Sequence, residues 1–206
     1  MNLEEARDDL AFMRALVSTT EDSQLTFGET YLACGLCYGG QMVMHGLQFL
    51  GWAPSEGQGA LLIGFGPTAV FVALLIWILT RRRVAQAPTA VNRAVAAVFG
   101  SVGLANLVMI LIFGLQAWRQ QSLLIWLIYP CVVMVLQGMA WMVAASLRRK
   151  GWMGGVALGF FLTGVGMAFA LQNLRAYVVI AGIGMLAFMA APGGLMILQA
   201  RRSART

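Results

Sequence analysis

The chain has 206 residues, of which 60% are hydrophobic and only 11% are charged. A soluble domain carries about 25% charged residues, so this composition excludes a protein whose surface faces mainly water. The net charge is +6, yet residues 57–206 contain twelve basic residues and no acidic one. Basic residues spread between apolar segments are typical of membrane-protein loops, whereas nucleic-acid binding needs a clustered basic patch on a soluble surface. We therefore predict no nucleic-acid partner.

The first 29 residues are acidic and are predicted to form a cytoplasmic helix and linker. Apolar residues recur at helical spacing from Leu3 to Val17, which predicts an amphipathic helix over residues 3–17. The polar residues 18–28 are interpreted as a turn region. The predicted helix lacks the basic face of a helix that binds anionic lipid. We expect it to bind a protein partner at the cytoplasmic face, or residues 81–83 or 148–150 of its own chain, through Glu4, Glu5, Asp8 and Asp9.

Six apolar segments follow, and each is long enough to cross the roughly 30 Å hydrocarbon core of a bilayer. Their length and the absence of a two-residue alternation favour helices over barrel strands. We predict an all-α polytopic membrane bundle of six transmembrane helices within residues 30–200, followed by a basic cytoplasmic tail at residues 201–206. The predicted segments are residues 30–52, 59–80, 93–117, 122–147, 152–173 and 176–199.

The positions of arginine and lysine predict the orientation of these segments. With the N-terminus in the cytoplasm, twelve basic residues fall on the cytoplasmic side, and two, Arg119 and Arg175, fall outside. This is the asymmetry of the positive-inside rule. We therefore predict that both termini are cytoplasmic and that the lipid bilayer is a bacterial cytoplasmic membrane. The short loops favour one compact unit, which forms a homo-oligomer or docks on a partner.

The first apolar segment carries the most concentrated polar side chains. They are spaced 4, 3, 4 and 3 residues apart, on one helical stripe: Cys34, Tyr38, Gln41, His45 and Gln48. Polar groups in hydrocarbon need partners, and Asn106 and Gln137 lie at comparable depth in later segments. Interhelical hydrogen bonding is one reading of this set. The other is a ligand-binding cavity lined by Tyr38, Gln41, His45, Gln48, Asn106 and Gln137.

Two glycine pairs and three prolines are expected to shape the bundle. Gly35 with Gly39 and Gly155 with Gly159 have the spacing that lets membrane helices approach closely, and we expect packing within the chain. Kinks are predicted where proline interrupts an apolar segment, at Pro67, Pro130 and Pro192.

The sequence offers no recognisable catalytic or metal site. No acid follows Glu56, which excludes an acid-containing triad or a carboxylate proton relay in the later segments. Cys34 and Cys37 match C-x-x-C but lie in an apolar segment, so we interpret them as packing residues. His45 is about 16 Å along a helix from Cys34, too far to share a metal. We predict no metal, no catalytic residue and no cofactor.

Three functions remain open at this stage. The first is a non-enzymatic membrane protein that acts by binding, as a sensor, regulator or accessory subunit. The second is a small transporter or channel for neutral or weakly polar solutes, with a pocket near His45, Asn106 and Gln137. The third, the weaker alternative, is a redox protein with haem ligated by His45.

Overall fold

The computed structural model describes the backbone of residues 3–81 and 90–203, and the side chains of residues 24–81 and 90–202. Within these ranges the chain forms helices joined by short turns, and no strand occurs. A π-helical segment, Leu186–Ala190, joins the last two helices. The helices are α1 (Leu3–Phe49), α2 (Gly57–Arg81), α3 (Ala90–Gln120), α4 (Leu123–Arg148), α5 (Gly151–Phe169), α6 (Leu174–Met185) and α7 (Ala191–Ser203).

Five helical stretches are long and apolar enough to cross a membrane: α2, α3, α4, α5 and the continuous stretch from Leu174 to Arg202. They correspond to five of the six predicted segments, and the chain is an all-α membrane protein. The remaining predicted segment, residues 30–52, falls mostly in the second half of α1, which is not among the five. The mean hydropathy of this segment is lower than that of the other five because it carries Gln41, His45 and Gln48.

The prediction of a turn in the N-terminal half of α1 was wrong. Residues 18–28 do not form a turn, because α1 continues through them as one helix of 47 residues. The stretch is polar, but it contains no proline, and its serine, threonine, aspartate and glutamate residues are tolerated in helices. The backbone is helical over residues 3–17, as predicted. The amphipathic character of that segment, and the contacts of its acids, involve side chains outside the described residues.

α1 is the central helix of the bundle. It packs against α2, α6, the π segment and α7, and its side chains reach α3 and α4. α4 packs against α3 and α5, and α5 packs against α6. α2 and α3 each have one principal neighbour, α1 and α4 respectively. Most large apolar side chains of α2 and α3 therefore lie on the outside of the bundle.

Glycines bring α1 into backbone contact with the π segment and α7. A Cβ on Gly35 would overlap the Ala190 nitrogen, and a Cβ on Gly193 would overlap the Leu32 nitrogen. Real Cβ atoms essentially never approach this closely, so any larger residue would push the helices apart. The predicted small-residue packing at Gly35 thus falls at an interface within the chain.

The other three predicted glycines differ in whether they face a neighbouring helix. Gly39 faces the Leu186 side chain of the π segment, and a Cβ on Gly159 would overlap the Phe188 ring. A Cβ on Gly155 would meet no atom within 4 Å, so this glycine brings no neighbouring helix close. Gly155 is exposed on the surface of α5.

Pro192 accounts for the π segment. A proline inside a helix lacks an N–H, and its ring collides with the carbonyl group four residues earlier, which belongs here to Phe188. The Ala191 N–H bonds instead to the carbonyl of Leu186, five residues earlier, which widens the turn. Pro67 and Pro130 lie inside α2 and α4 without breaking either helix.

Candidate functional site

The stripe that carries the polar residues of α1 continues further toward the N-terminus than predicted, with aromatic as well as polar side chains. Tyr31, Phe27 and Gln24 precede Cys34 at the same alternating spacing of three and four residues. The stripe therefore covers almost the whole length over which α1 packs in the bundle. Its side chains contact different partners in three successive parts of α1, which we call the first level (residues 27–31), the second level (residues 38–41) and the third level (residues 45–48).

At the first level, aromatic rings join α1 to α3 and α4. Phe27 and Tyr31 of α1 meet Phe99 of α3 and Trp141 of α4, with all six centroid distances between 4.6 and 5.9 Å. Trp141 has no exposed surface. The Tyr31 hydroxyl also donates a hydrogen bond to Gln137 Oε1 of α4. This aromatic cluster is the direct connection between the central helix and the α3–α4 pair.

At the second level, α1 contacts α2. The Gln41 side-chain amide donates a hydrogen bond of 2.9 Å to the Gly64 carbonyl oxygen. The Tyr38 ring lies 5.7 Å from the Phe71 ring of α2. Two predicted cavity residues are thus occupied by contacts between helices.

At the third level, the stripe contacts the turn after α1. The Gln48 amide nitrogen donates to the Pro54 carbonyl oxygen, so Gln48 Oε1 points back to His45 Nδ1 at 2.7 Å. An amide oxygen only accepts hydrogen bonds, hence His45 Nδ1 is the donor in this contact. The imidazole is therefore oriented by Gln48 of its own helix.

Asn106 and Gln137 do not bond to each other, although they lie at similar depth. The pairs Phe99–Trp141 and Phe113–Tyr129 fix the register of α3 on α4, and interpolation places Asn106 opposite residues 134–136. Its Oδ1 atom is buried and has no hydrogen-bond partner among the described residues. The oxygen of Gln137 is instead bonded to Tyr31.

The structure therefore does not bring the six predicted cavity residues together. Within the described part of the chain, no hydrogen bond links His45, Asn106 and Gln137 to one another. Tyr31 was missed, although its spacing from Cys34 continues the stripe and would have revealed it. Trp141 carries no such signal, since its role depends on contacts with three other helices.

The cysteines and histidine form no metal-binding group in the described part of the chain. Cys34 and Cys37 are partly buried in α1, and Cys131 is buried in α4; all three are free. Comparisons of the chain with protein-family models, with curated proteins and with solved structures find no match.

Proposed function

We propose that this protein is a non-enzymatic membrane protein that acts by binding, as a sensor, regulator or accessory subunit of a membrane complex. The continuity of α1 supports this proposal most directly. The acidic N-terminal segment, which has the composition of a protein-binding helix, and the central helix of the bundle are one helix from Leu3 to Phe49. A partner that binds residues 3–17 therefore acts on the bundle itself.

The length of this segment suits the proposed role. Residues 3–23 span about 30 Å at 1.5 Å per residue, and they continue as one helix into the part of α1 that contacts Gly193 and Trp141. A partner that changes the tilt of this segment would therefore also move α1 at these contacts.

The proposed topology has six membrane spans, with α1 residues 30–49 as the first. These 20 residues contain no charged side chain and measure about 30 Å, the thickness of the hydrocarbon core. The polar stripe is tolerated there because α2, α4 and the turn after α1 supply its partners. The positive-inside rule then places both termini in the cytoplasm, and a bacterial cytoplasmic membrane is the proposed location.

Reporter fusions test this topology. Reporters placed before Met1 and after Thr206 should behave as cytoplasmic, and one inserted at residues 54–57 should behave as external. If the reporters before Met1 and at residues 54–57 lie on the same side, α1 does not cross the membrane and the six-span proposal is wrong.

Site-specific photocrosslinking in native membranes tests the binding function. A crosslinker at Leu10 should yield a discrete adduct with one protein, whereas the same group at Leu111, which is 71% exposed on α3, should label lipid. Equal labelling patterns at the two positions would contradict the proposal. Solute flux through liposomes containing the purified protein, or a haem absorption band, would instead support the transporter or the redox alternative.

A further inference from the structure

The π segment is the point at which the hydrogen bonding of the last helical stretch is incomplete. In an α-helix the Ala187 carbonyl would accept from the Ala191 N–H, but that N–H bonds to Leu186. The π-helical donor for Ala187, five residues later, is position 192, a proline without an N–H. The Ala187 carbonyl therefore has neither its α-helical nor its π-helical donor, and α6 and α7 are joined where their common helix is weakest.

The helices on the two sides of this segment have different neighbours. α6 packs against α1 and α5, whereas α7 packs principally against α1. On the α6 side, Gly184 lies against Thr163 of α5, and the Tyr177 hydroxyl donates a hydrogen bond of 2.8 Å to the Leu127 carbonyl oxygen of α4. α6 is therefore held by three helices, and α1 is the principal support of α7.

α7 is closely attached to α1 along its length. A Cβ on Gly28 would lie 2.9 Å from the Gly193 carbonyl oxygen, so the two backbones approach closely there. Further along α7, the Gln24 amide donates a hydrogen bond to the Gln199 side chain. Met196, between these two contacts, has no exposed surface. A displacement of this part of α1 would therefore carry α7 with it.

We propose that the π segment is a hinge at which α7 moves with α1 relative to α6. Sharp bends in helices occur at prolines and π-bulges, and hinges are formed by a few residues at the ends of elements. The inference rests on the proposed function for the source of the motion, since a partner bound to residues 3–17 would tilt α1. The backbone contact between Gly35 and Ala190 lies at the hinge, so a tilt about this contact displaces α7 most at its far end.

Electron–electron double resonance on the full-length protein in lipid nanodiscs tests the hinge. One spin label stays at Leu111 of α3, and the second is placed either at Leu198 of α7 or at Val179 of α6, which are 55% and 57% exposed. Labels carried by unnatural amino acids leave the three free cysteines in place. A bend of about 20° displaces Leu198, roughly 10 Å beyond the hinge, by about 4 Å.

We expect the distance distribution from Leu198 to be broader than that from Val179 by about this displacement of 4 Å. Equal widths at the two positions would overturn the proposal. Pro192→Ala supplies a donor for the Ala187 carbonyl and should narrow the Leu198 distribution to the width found at Val179. Pro130→Ala is the matched control, because α4 continues unbroken through that proline, and it should leave both distributions unchanged. An unchanged Leu198 distribution in a folded Pro192→Ala variant would mean that α7 frays at its end, and would also overturn the hinge.

Hydrogen exchange on the unsubstituted protein in detergent micelles keeps the test decisive if Pro192→Ala does not fold. After correction for intrinsic rates, the amides of residues 191–194 should exchange about tenfold faster than those of residues 131–134, because a helical hydrogen bond is missing at the π segment. Equal protection beside the two prolines would contradict the hinge. Neither measurement needs a partner, so a failed crosslink at Leu10 would count against the proposed function and leave the hinge intact.

Discussion

α2 and α3 have the highest mean hydropathy of the five membrane-length helices in their most apolar 18-residue windows, and they are also the least buried. In these windows 6% of the residues are buried, against 44% in α5, which is rich in glycine and has the lowest mean hydropathy of the five. Mean hydropathy and burial thus change in opposite directions among these helices. In a soluble protein they would rise together, because water drives apolar side chains inward.

The physical reason lies in the solvent. Lipid tails are as apolar as leucine, so burying a leucine between helices provides little hydrophobic free energy, and close van der Waals packing decides which helices meet. The buried helices accordingly use small residues at their contacts, such as Gly164 of α5 against Cys131 and Gly184 of α6 against Thr163. α2 and α3 present leucine, isoleucine and phenylalanine outward instead.

Removing the largest buried ring should give the largest effect. Trp141→Ala deletes a side chain that contacts Phe27, Tyr31, Phe99 and Trp152, and we expect a loss of about 3–5 kcal/mol in the free energy of unfolding. Reversible unfolding in detergent micelles measures it. Trp77→Ala on α2 is the control: that ring is 53% exposed and its cation–π contact with Arg81 is worth about 0.5–1 kcal/mol. Equal losses would mean that burial does not separate the two regions.

Replacing a glycine by alanine should lower the free energy of unfolding in the buried region, at Gly35, but not on the lipid-facing helix α3, at Gly103. Gly35→Ala places a Cβ against the backbone of Ala190, and we expect a loss of about 1–3 kcal/mol from overpacking. Gly103→Ala on α3 meets no atom within 4 Å and should be neutral or stabilising by up to about 1 kcal/mol, because alanine favours the helix. The same unfolding assay reports both. A stable Gly35→Ala variant would show that α1 and the π segment can separate at no cost.

Much of the fold follows from the sequence because the bilayer sets the length of each apolar segment. The predicted segment of residues 122–147 matches α4, Leu123–Arg148, within one residue at each end. The prediction of a turn at residues 18–28 was wrong for a related reason. Polarity marks the end of a membrane span, but it does not end a helix, and α1 contains no proline that would do so.

The candidate site was less predictable because it depends on the choice between several polar partners. Spacing placed Tyr38 and Gln41 on one face, and both do contact neighbouring helices. Depth alone suggested Asn106 and Gln137 as partners of the polar stripe of α1. Gln137 does accept a hydrogen bond from α1, but from Tyr31, which was not predicted, whereas Asn106 Oδ1 has no hydrogen-bond partner among the described residues. This outcome depends on how closely α1 approaches α3 and α4, which no local pattern encodes.

The smallest expected effect is the most informative about how α1 is held at the aromatic cluster. The hydrogen bond from Tyr31 to Gln137 lies inside the bundle, where a double-mutant cycle of Tyr31→Phe and Gln137→Met isolates its contribution. Polar contacts between membrane helices average about 0.6 kcal/mol and reach about 1.7 kcal/mol, because the unfolded chain in the membrane also finds partners. We expect a coupling energy in this range, well below the loss caused by Trp141→Ala.

Tyr31→Phe combined with Gln41→Met is the matched control, since these residues lie about 15 Å apart along α1 and should not couple. A coupling near zero in the first cycle would mean that the rings alone join α1 to α4. A coupling as large as the loss from Trp141→Ala would mean that polar contacts, rather than close packing, hold the buried region together.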